Sequence, residues 1–168
     1  MQKDNASEDK IPFNCFRQEE VEAFLGYEDM RLKAVYYYIW PDGEGGGFLF
    51  TLELMFDSGE CLMLSGGEDS EAIRIIGSEI LMDTARKLQE LHGKPVLQRM
   101  MANAQPLWQQ AAGEMLRAIR LTRHESELYS NEALLLDFGH KAIFVQLGER
   151  EGLELGVLNA ENADFLER

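Results

Sequence analysis

Residues 48–56 constrain the fold more than any other part of this chain. Apolar residues occupy every second position of the stretch, with Leu52 at its centre. Successive side chains of a β-strand point to opposite faces of the sheet, so this period of two indicates a strand with one wholly apolar face. The intervening positions are mixed, which predicts a central and well-buried strand. Turn-forming residues 57–60 follow directly and predict a tight hairpin into a returning strand over 61–64.

Similar strand patterns recur on both sides of a helical region, which predicts an α+β fold. The first of them, 32–40, is rich in Val, Tyr and Ile, which suit a pleated surface. The predicted strands cover 32–40, 48–56, 61–64, 72–76, 116–121, 133–138, 142–147 and 153–158. Six positions are expected in the core: Leu52, Leu54, Phe56, Leu134, Leu136 and Phe138.

Helical patterns are fewer. Apolar spacing and end signals predict a short N-terminal helix over 14–25, a helix over 78–91 that ends at Gly93, and a helix over 106–115. Leu81, Thr84, Leu88 and Leu91 are expected to line one side of the second helix. Residues 96–101 fit either a strand or a helix.

The two strand regions match in order and in part of their residues, which predicts an internal repeat. Residues 32–35 resemble 116–119, residues 54–59 resemble 134–139, and residues 61–64 resemble 142–145. We therefore expect two antiparallel meanders of about four strands each. The alternative is that unrelated hairpins share generic turn chemistry.

This organisation divides the chain into four stretches. A flexible tail over 1–12 precedes residues 13–93, which hold the N-terminal helix, the first meander and a helix. A helical connector over 94–115 then leads to the second meander and a tail over 116–168. We expect these stretches to pack as one compact unit, because one meander buries only one face.

The chain is strongly acidic. Its 168 residues include 30 Asp and Glu against 16 Lys and Arg, a formal net charge of −14. Nucleic-acid binding depends on clustered cations that displace counterions from phosphates, so this charge argues against a nucleic-acid partner. It also argues against an anionic membrane surface. It is compatible with a basic protein partner, and equally with solubility alone.

Cysteine usage and the N-terminal sequence predict a cytoplasmic protein, and the length of the chain suits a bacterial one. Cys15 and Cys61 are too few for a disulfide framework, and both lie among apolar residues as free thiols do. Residues 1–10 are polar and lack the apolar segment of a signal peptide. No apolar run approaches the roughly 20 residues of a membrane-spanning helix.

No motif for a cofactor, a metal or a catalytic nucleophile stands out. The three histidines lack the spacing of a zinc motif. The glycines of 43–47 lack the Lys-Ser or Lys-Thr of a phosphate loop. We therefore expect no cofactor, no metal and no catalytic residue. Whether the acidic turns over 68–71 and 149–154 hold a cation through oxygen ligands stays open.

An aromatic strand beside an acidic turn is the first candidate for a binding surface. Alternation along 32–40 places Tyr36, Tyr38 and Trp40 on one side of the strand. Aromatic side chains offer a large contact area at low entropic cost and often dominate interface energies. Asp42 and Glu44 in the following turn add an acidic rim. The competing interpretation is a strand buried between sheet and helix.

Three arginines of one strand are the second candidate site. Residues 94–124 carry five Lys and Arg against a single Glu, which reverses the charge of the rest of the chain. In a strand, Arg117 and Arg123 share a face and Arg120 points to the opposite one. These arginines either bind a small anion or pair with acidic neighbours.

Together these features predict a non-catalytic acidic module that binds a protein. An inhibitor or immunity-type protein that engages a basic partner fits the size and charge, by analogy alone. The alternative is a small enzyme or ligand-binding domain with its site between the two repeats, where pockets often form. A third possibility is a subunit of a homo-oligomer that buries the tyrosine strip against another copy.

Overall fold

A computed structural model describes residues 12–41, 44–66, 71–124, 127–149 and 151–157. These residues include ten strands and three helices. In chain order they are α1 (Gln18–Tyr27), β1 (Met30–Pro41), β2 (Gly47–Phe56), β3 (Cys61–Ser65), β4 (Arg74–Ile76), α2 (Ser78–His92), β5 (Gln98–Met101), α3 (Pro106–Gln109), β6 (Met115–Leu116), β7 (Ala118–Arg123), β8 (Tyr129–Asp137), β9 (Ala142–Leu147) and β10 (Leu153–Val157). The predicted α+β class is confirmed. The predicted tail over 1–12 lies outside the described residues, except for its last residue.

The strands form one curled antiparallel sheet, in which strands from the two halves of the chain pair with each other. Consecutive strands pair from β1 to β4 and again from β7 to β10. Among the described residues, two short strand pairings join these groups. Leu153 of β10 pairs with Leu49 of β2, and Met30 of β1 pairs with Leu116 of β6, which leads into β7. Because both contacts are short, closure of the sheet depends mainly on side-chain packing inside it.

The main hydrophobic core lies inside this curl and draws on both groups of strands. Trp108 of α3 is fully buried there, and its Nε1–H donates a 2.6 Å hydrogen bond to Tyr37 Oη. The six core positions predicted from the sequence are confirmed, each at most 2% exposed: Leu52, Leu54, Phe56, Leu134, Leu136 and Phe138.

A β-bulge reverses the orientation of the first aromatic residues of β2. The alternating pattern predicted Phe48 and Phe50 on the core face, but both pack in a second cluster on the opposite face, with α2. Consecutive residues of β1 pair with Thr51 and Leu49, so Phe50 has no register partner. One inserted residue inverts the alternation beyond it, which explains the change of face.

The second helix, α2, follows the sequence prediction except at its last turn. Leu81 and Leu88 are buried, and Gly93 ends the helix in the left-handed conformation, as predicted. The expectation for Leu91 was wrong, because its side chain is 77% exposed. At 100° per residue, Leu91 lies well to one side of the stripe centred on Leu81 and Leu88.

The stretch 94–115 contains less helix than the sequence indicated. Residues that fitted either a strand or a helix form β5, which pairs with β1. The helix predicted over 106–115 ends at Gln109. Gly113 takes a positive φ of 90° and donates its N–H to the carbonyl of Leu32. This glycine turns the chain into β6 instead of continuing the helix.

A buried ion pair fixes the N-terminal segment. Glu20 of α1 is 6% exposed, and its carboxylate accepts hydrogen bonds from the Arg74 guanidinium at 2.8 Å and the Ile75 N–H at 3.1 Å. Arg74 also donates to the carbonyl oxygens of Phe13 and Cys15. Residues predicted to begin the helix are therefore bonded to β4, and α1 starts at Gln18.

Asn131 of β8 holds the same segment from the other side. Its buried side-chain amide donates to the carbonyl oxygens of Phe13 at 2.8 Å and Cys15 at 3.2 Å. The backbone carbonyl of Asn131 accepts a hydrogen bond from the N–H of Ile73, the residue just before β4. Asn131 thus ties the N-terminal segment and the start of β4 to the second group of strands.

Replacing Leu54 by Ala is expected to lower the free energy of unfolding by about 2–5 kcal/mol, because truncation leaves a cavity in a packed core. Leu25→Ala is the matched control. The Leu25 side chain is 62% exposed on α1, so its loss should cost less than about 0.5 kcal/mol. Urea denaturation followed by circular dichroism measures both variants, and equal losses would contradict the core position of Leu54.

Glu20→Gln is expected to lower the free energy of unfolding by about 2–4 kcal/mol, because the largely buried Arg74 keeps its charge without a counterion. Glu90→Gln removes a carboxylate from an ion pair with Arg86 that is mostly exposed. That control should show little or no change, since solvent screens such pairs. A Glu20 variant as stable as the control in urea denaturation would show that the buried pair does not hold the segment.

Candidate functional site

Two of the predicted aromatic residues surround Arg99 on the outer face of the sheet. Tyr36 and Tyr38 are half-buried on β1, and β5 places Arg99 opposite Tyr38 in the strand register. The guanidinium carbon of Arg99 lies 3.6 Å from the ring centroid of Tyr36 and 5.8 Å from that of Tyr38. Both rings therefore make cation–π contacts with one arginine.

The carboxylate of Glu53 holds this arginine in place from β2. Glu53 is only 3% exposed, and it accepts hydrogen bonds from Tyr38 Oη at 2.8 Å and from Arg99 Nη2 at 3.3 Å. Arg99 Nε donates to Tyr38 Oη at 2.9 Å, which closes a triangle of hydrogen bonds. A buried carboxylate needs such partners, because desolvation of its charge is costly. We refer to Tyr36, Tyr38, Glu53 and Arg99 as the Arg99 cluster.

The phenol of Tyr38 and the nearby thiol of Cys61 stay protonated near neutral pH. Burial, together with the hydrogen bond to Glu53, raises the pKa of Tyr38 to about 12. Burial is also the main reason why the pKa of the nearby Cys61 thiol is raised, with Glu53 as the second cause. A nucleophile needs the thiolate or an activating base, so neither group has the properties of an activated nucleophile.

Trp40, the third aromatic residue of the predicted contact strip, packs on neighbouring aromatic rings. Trp40 stacks on Phe48, with ring centroids 5.4 Å apart, and meets Phe50 edge-on at 5.6 Å. It therefore belongs to the cluster that the sheet forms with α2. Glu44 is exposed, and Asp42 lies outside the described residues.

The three arginines predicted as an anion site have separate contacts. Arg120 forms a 2.9 Å ion pair with Asp137, as the internal-pairing interpretation expects. The guanidinium of Arg123 lies 5.7 Å from the ring centroid of Tyr129. Arg117 is exposed just before β7. Of these three cations, Arg120 is thus already neutralised by a carboxylate.

A groove of about 640 Å³ lies along the N-terminal segment, lined among others by Phe13, Arg17 and Arg74. Arg74 is held by Glu20 and by two backbone carbonyl oxygens. This guanidinium therefore already has the partners that an anionic ligand would supply, and its contacts stabilise the fold.

Sequence reasoning missed Glu53 and Arg99, although one signal was present. Glu53 is the single charged residue within 48–56, an otherwise apolar stretch that was predicted to be buried. A charged residue at such a position is almost never fully buried without a partner, so a cation had to be expected nearby. Only the pairing of β1 with β5 identifies that cation as Arg99.

Within the described residues, no group of three or more His, Cys, Asp or Glu side chains is arranged to hold a metal ion. The acidic turns over 68–71 and 149–154 fall partly outside those residues. In the same described part of the chain, none of the helices has the length and apolar character that crossing a bilayer requires.

Comparison of the chain with protein-family models, with curated proteins and with solved structures gave no match in any of the three searches. Among the described residues, the Arg99 cluster is the most distinctive arrangement of polar side chains.

The raised pKa of Tyr38 makes a prediction for alkaline pH. Its pKa in the folded state lies above the value of about 10 expected when unfolded. The contribution of the protonated phenol to stability is therefore complete below about pH 10 and is lost as the pH rises through about 12. Subtracting the phenolate absorbance of Tyr38→Phe from that of the native chain at each pH isolates the titration of Tyr38. This titration should have its midpoint near pH 12. Circular dichroism of the same samples reports whether the chain is still folded, and a midpoint near pH 10 in folded protein would contradict the buried hydrogen bond.

Proposed function

We propose that this chain is a non-catalytic module that binds another protein through the outer face of its sheet, with the Arg99 cluster at the centre of the contact. One observation carries the proposal: the buried carboxylate of Glu53 holds an arginine against half-exposed tyrosine rings. Arginine and tyrosine are enriched among the residues that dominate interface energies. Side chains that are ordered before binding also lose less entropy on association.

The proposed partner is a basic protein, as for an inhibitor or immunity-type protein. The net charge of −14 supports this choice, because it attracts a basic partner over long range. Arg99 does not oppose the attraction, since Glu53 balances its charge at 3.3 Å. Attraction of this kind speeds encounter and weakens as salt concentration rises.

A catalytic function at the same cluster is less well supported. The phenol of Tyr38 and the thiol of Cys61 both have raised pKa values, so each keeps its proton near neutral pH. The polar groups of Tyr38, Glu53 and Arg99 bond to one another. Such mutual satisfaction favours a rigid contact surface over a site that exchanges protons with a substrate.

We also propose that the strands β1–β4 and β7–β10 are copies of one ancestral meander. In each hairpin between the second and third strand, a phenylalanine N–H donates to the carbonyl just before the returning strand, from Phe56 to Glu60 and from Phe138 to Lys141. This match pairs Phe56 with Phe138, two residues further along than the alignment of 54–59 with 134–139. Replacing turn residues 57–60 by residues 139–141 should then cost less than about 1 kcal/mol of stability in urea denaturation. Loss of the folded state in that chimera would contradict the equivalence of the hairpins.

The free thiols of Cys15 and Cys61 support the expectation of a reducing cytoplasm. Fractionation of native cells with an antibody against the chain tests this location. Recovery of the protein outside the cytoplasmic fraction would contradict it.

Affinity capture from the native lysate, followed by mass spectrometry, is expected to identify a partner with an isoelectric point above about 9. Tyr36→Ala should then weaken binding by at least about 1 kcal/mol in titration calorimetry, because it removes one ring from the Arg99 cluster. Tyr36 is a better choice than Trp40, since Trp40 also packs against Phe48 and Phe50.

Tyr129→Ala is the matched control for this experiment. It removes a half-buried tyrosine that also lies beside an arginine, Arg123, but on β8. Its binding should match that of the unaltered chain. Equal effects of the two substitutions, or an acidic partner, would overturn the proposed contact surface.

A further inference from the structure

The free edge of β5 is an interaction surface that the proposed function does not use. β5 pairs with β1 on one side, and no strand of the described residues pairs with its other side. All four of its residues are exposed, Met100 at 42% and Met101 at 56%. An edge strand of this kind presents backbone donors and acceptors to a further strand.

The hydrogen-bond register shows which backbone groups of β5 point away from β1. The N–H of Ala102 donates to the carbonyl of Val35 at 2.8 Å, and the antiparallel register continues from there through β5. Hydrogen-bonded and non-hydrogen-bonded pairs alternate in an antiparallel ladder. Met100 therefore bonds to β1, whereas the N–H and C=O groups of Arg99 and Met101 point outward.

We propose that β5 pairs antiparallel with β5 of a second copy of this chain, about a two-fold axis at Met100. In this register Arg99 of each copy lies opposite Met101 of the other, and their outward groups exchange hydrogen bonds. The two Met100 side chains meet at the axis, on the sheet face opposite to Arg99. Because both copies use the same surface, the assembly closes as a dimer.

The distribution of charge makes this edge a better place for a second copy to bind than the rest of the surface. Each chain carries a net charge of −14, so two copies repel each other across most of their surfaces. Residues 91–113 contain no Asp or Glu, and Glu53 balances the charge of Arg99. Two copies therefore approach along β5 at low electrostatic cost. The exposed methionines add flexible apolar contact.

The dimer is expected to be weak and reversible. A strand of four residues makes a small interface, and small interfaces belong to transient assemblies. We expect a dissociation constant in the range of about 10–100 μM. The dimer does not depend on the proposed binding of a basic protein, so either proposal can fail while the other holds.

Analytical ultracentrifugation of the full chain from about 1 μM to about 1 mM tests the dimer. Met101→Pro removes an outward N–H, and proline is tolerated at edge positions whose N–H faces solvent. Met101→Ala is the matched control, because it loses the same side chain and keeps the N–H. We expect at least a tenfold weaker dimer for the proline variant, and less than about a threefold change for the alanine variant.

Several outcomes would overturn the proposal. The unaltered chain could stay monomeric at all concentrations. The proline variant could dimerise as well as the unaltered chain, or the alanine variant could dimerise as weakly as the proline variant. Amide hydrogen exchange of the unaltered chain gives a second measurement if the proline variant does not fold. Rising concentration should slow exchange at Arg99 and Met101 and leave Met100 unchanged, and a dimer without that pattern uses another surface.

Discussion

Burial of two apolar strand faces, one on β2 and one on β8, holds this fold together. The hydrogen-bonded contacts that join the two groups of strands are short, with a single register pair between β10 and β2. The stabilisation from hydrophobic burial is roughly proportional to the apolar area removed from water. It does not need a long run of hydrogen-bonded strand pairs. Leu54 and Leu136 belong to one core, and Asn131 links the N-terminal segment and the start of β4 to β8.

Two buried carboxylates add specificity to this non-directional core. Glu20 pairs with Arg74, and Glu53 pairs with Arg99, in each case across more than 40 positions of the chain. A desolvated charge without its partner is strongly destabilising, so each pair specifies one relative placement of its two segments. The first pair locates α1 on β4. The second locates β5 beside β1 and Arg99 over Glu53, at the proposed contact surface.

The strand β5 therefore connects both proposals. The side chain of Arg99 contributes to the outer face of the sheet, whereas its backbone N–H and C=O lie on the open edge. In the proposed dimer, two Arg99 clusters would lie on one continuous sheet face. A partner with two matching sites would then bind both clusters with avidity beyond that of one copy.

The periodicity of the sequence by itself determined the α+β class, the strands around Leu54 and Leu136, and the burial of their apolar faces. Only the tertiary structure decided that Phe50 occupies a bulge, that residues 98–101 form a strand, and that Arg99 is the partner of Glu53. Local alternation records whether a residue is buried. The register between strands depends on contacts far apart in the chain, and a shift of one residue exchanges the two faces of a strand.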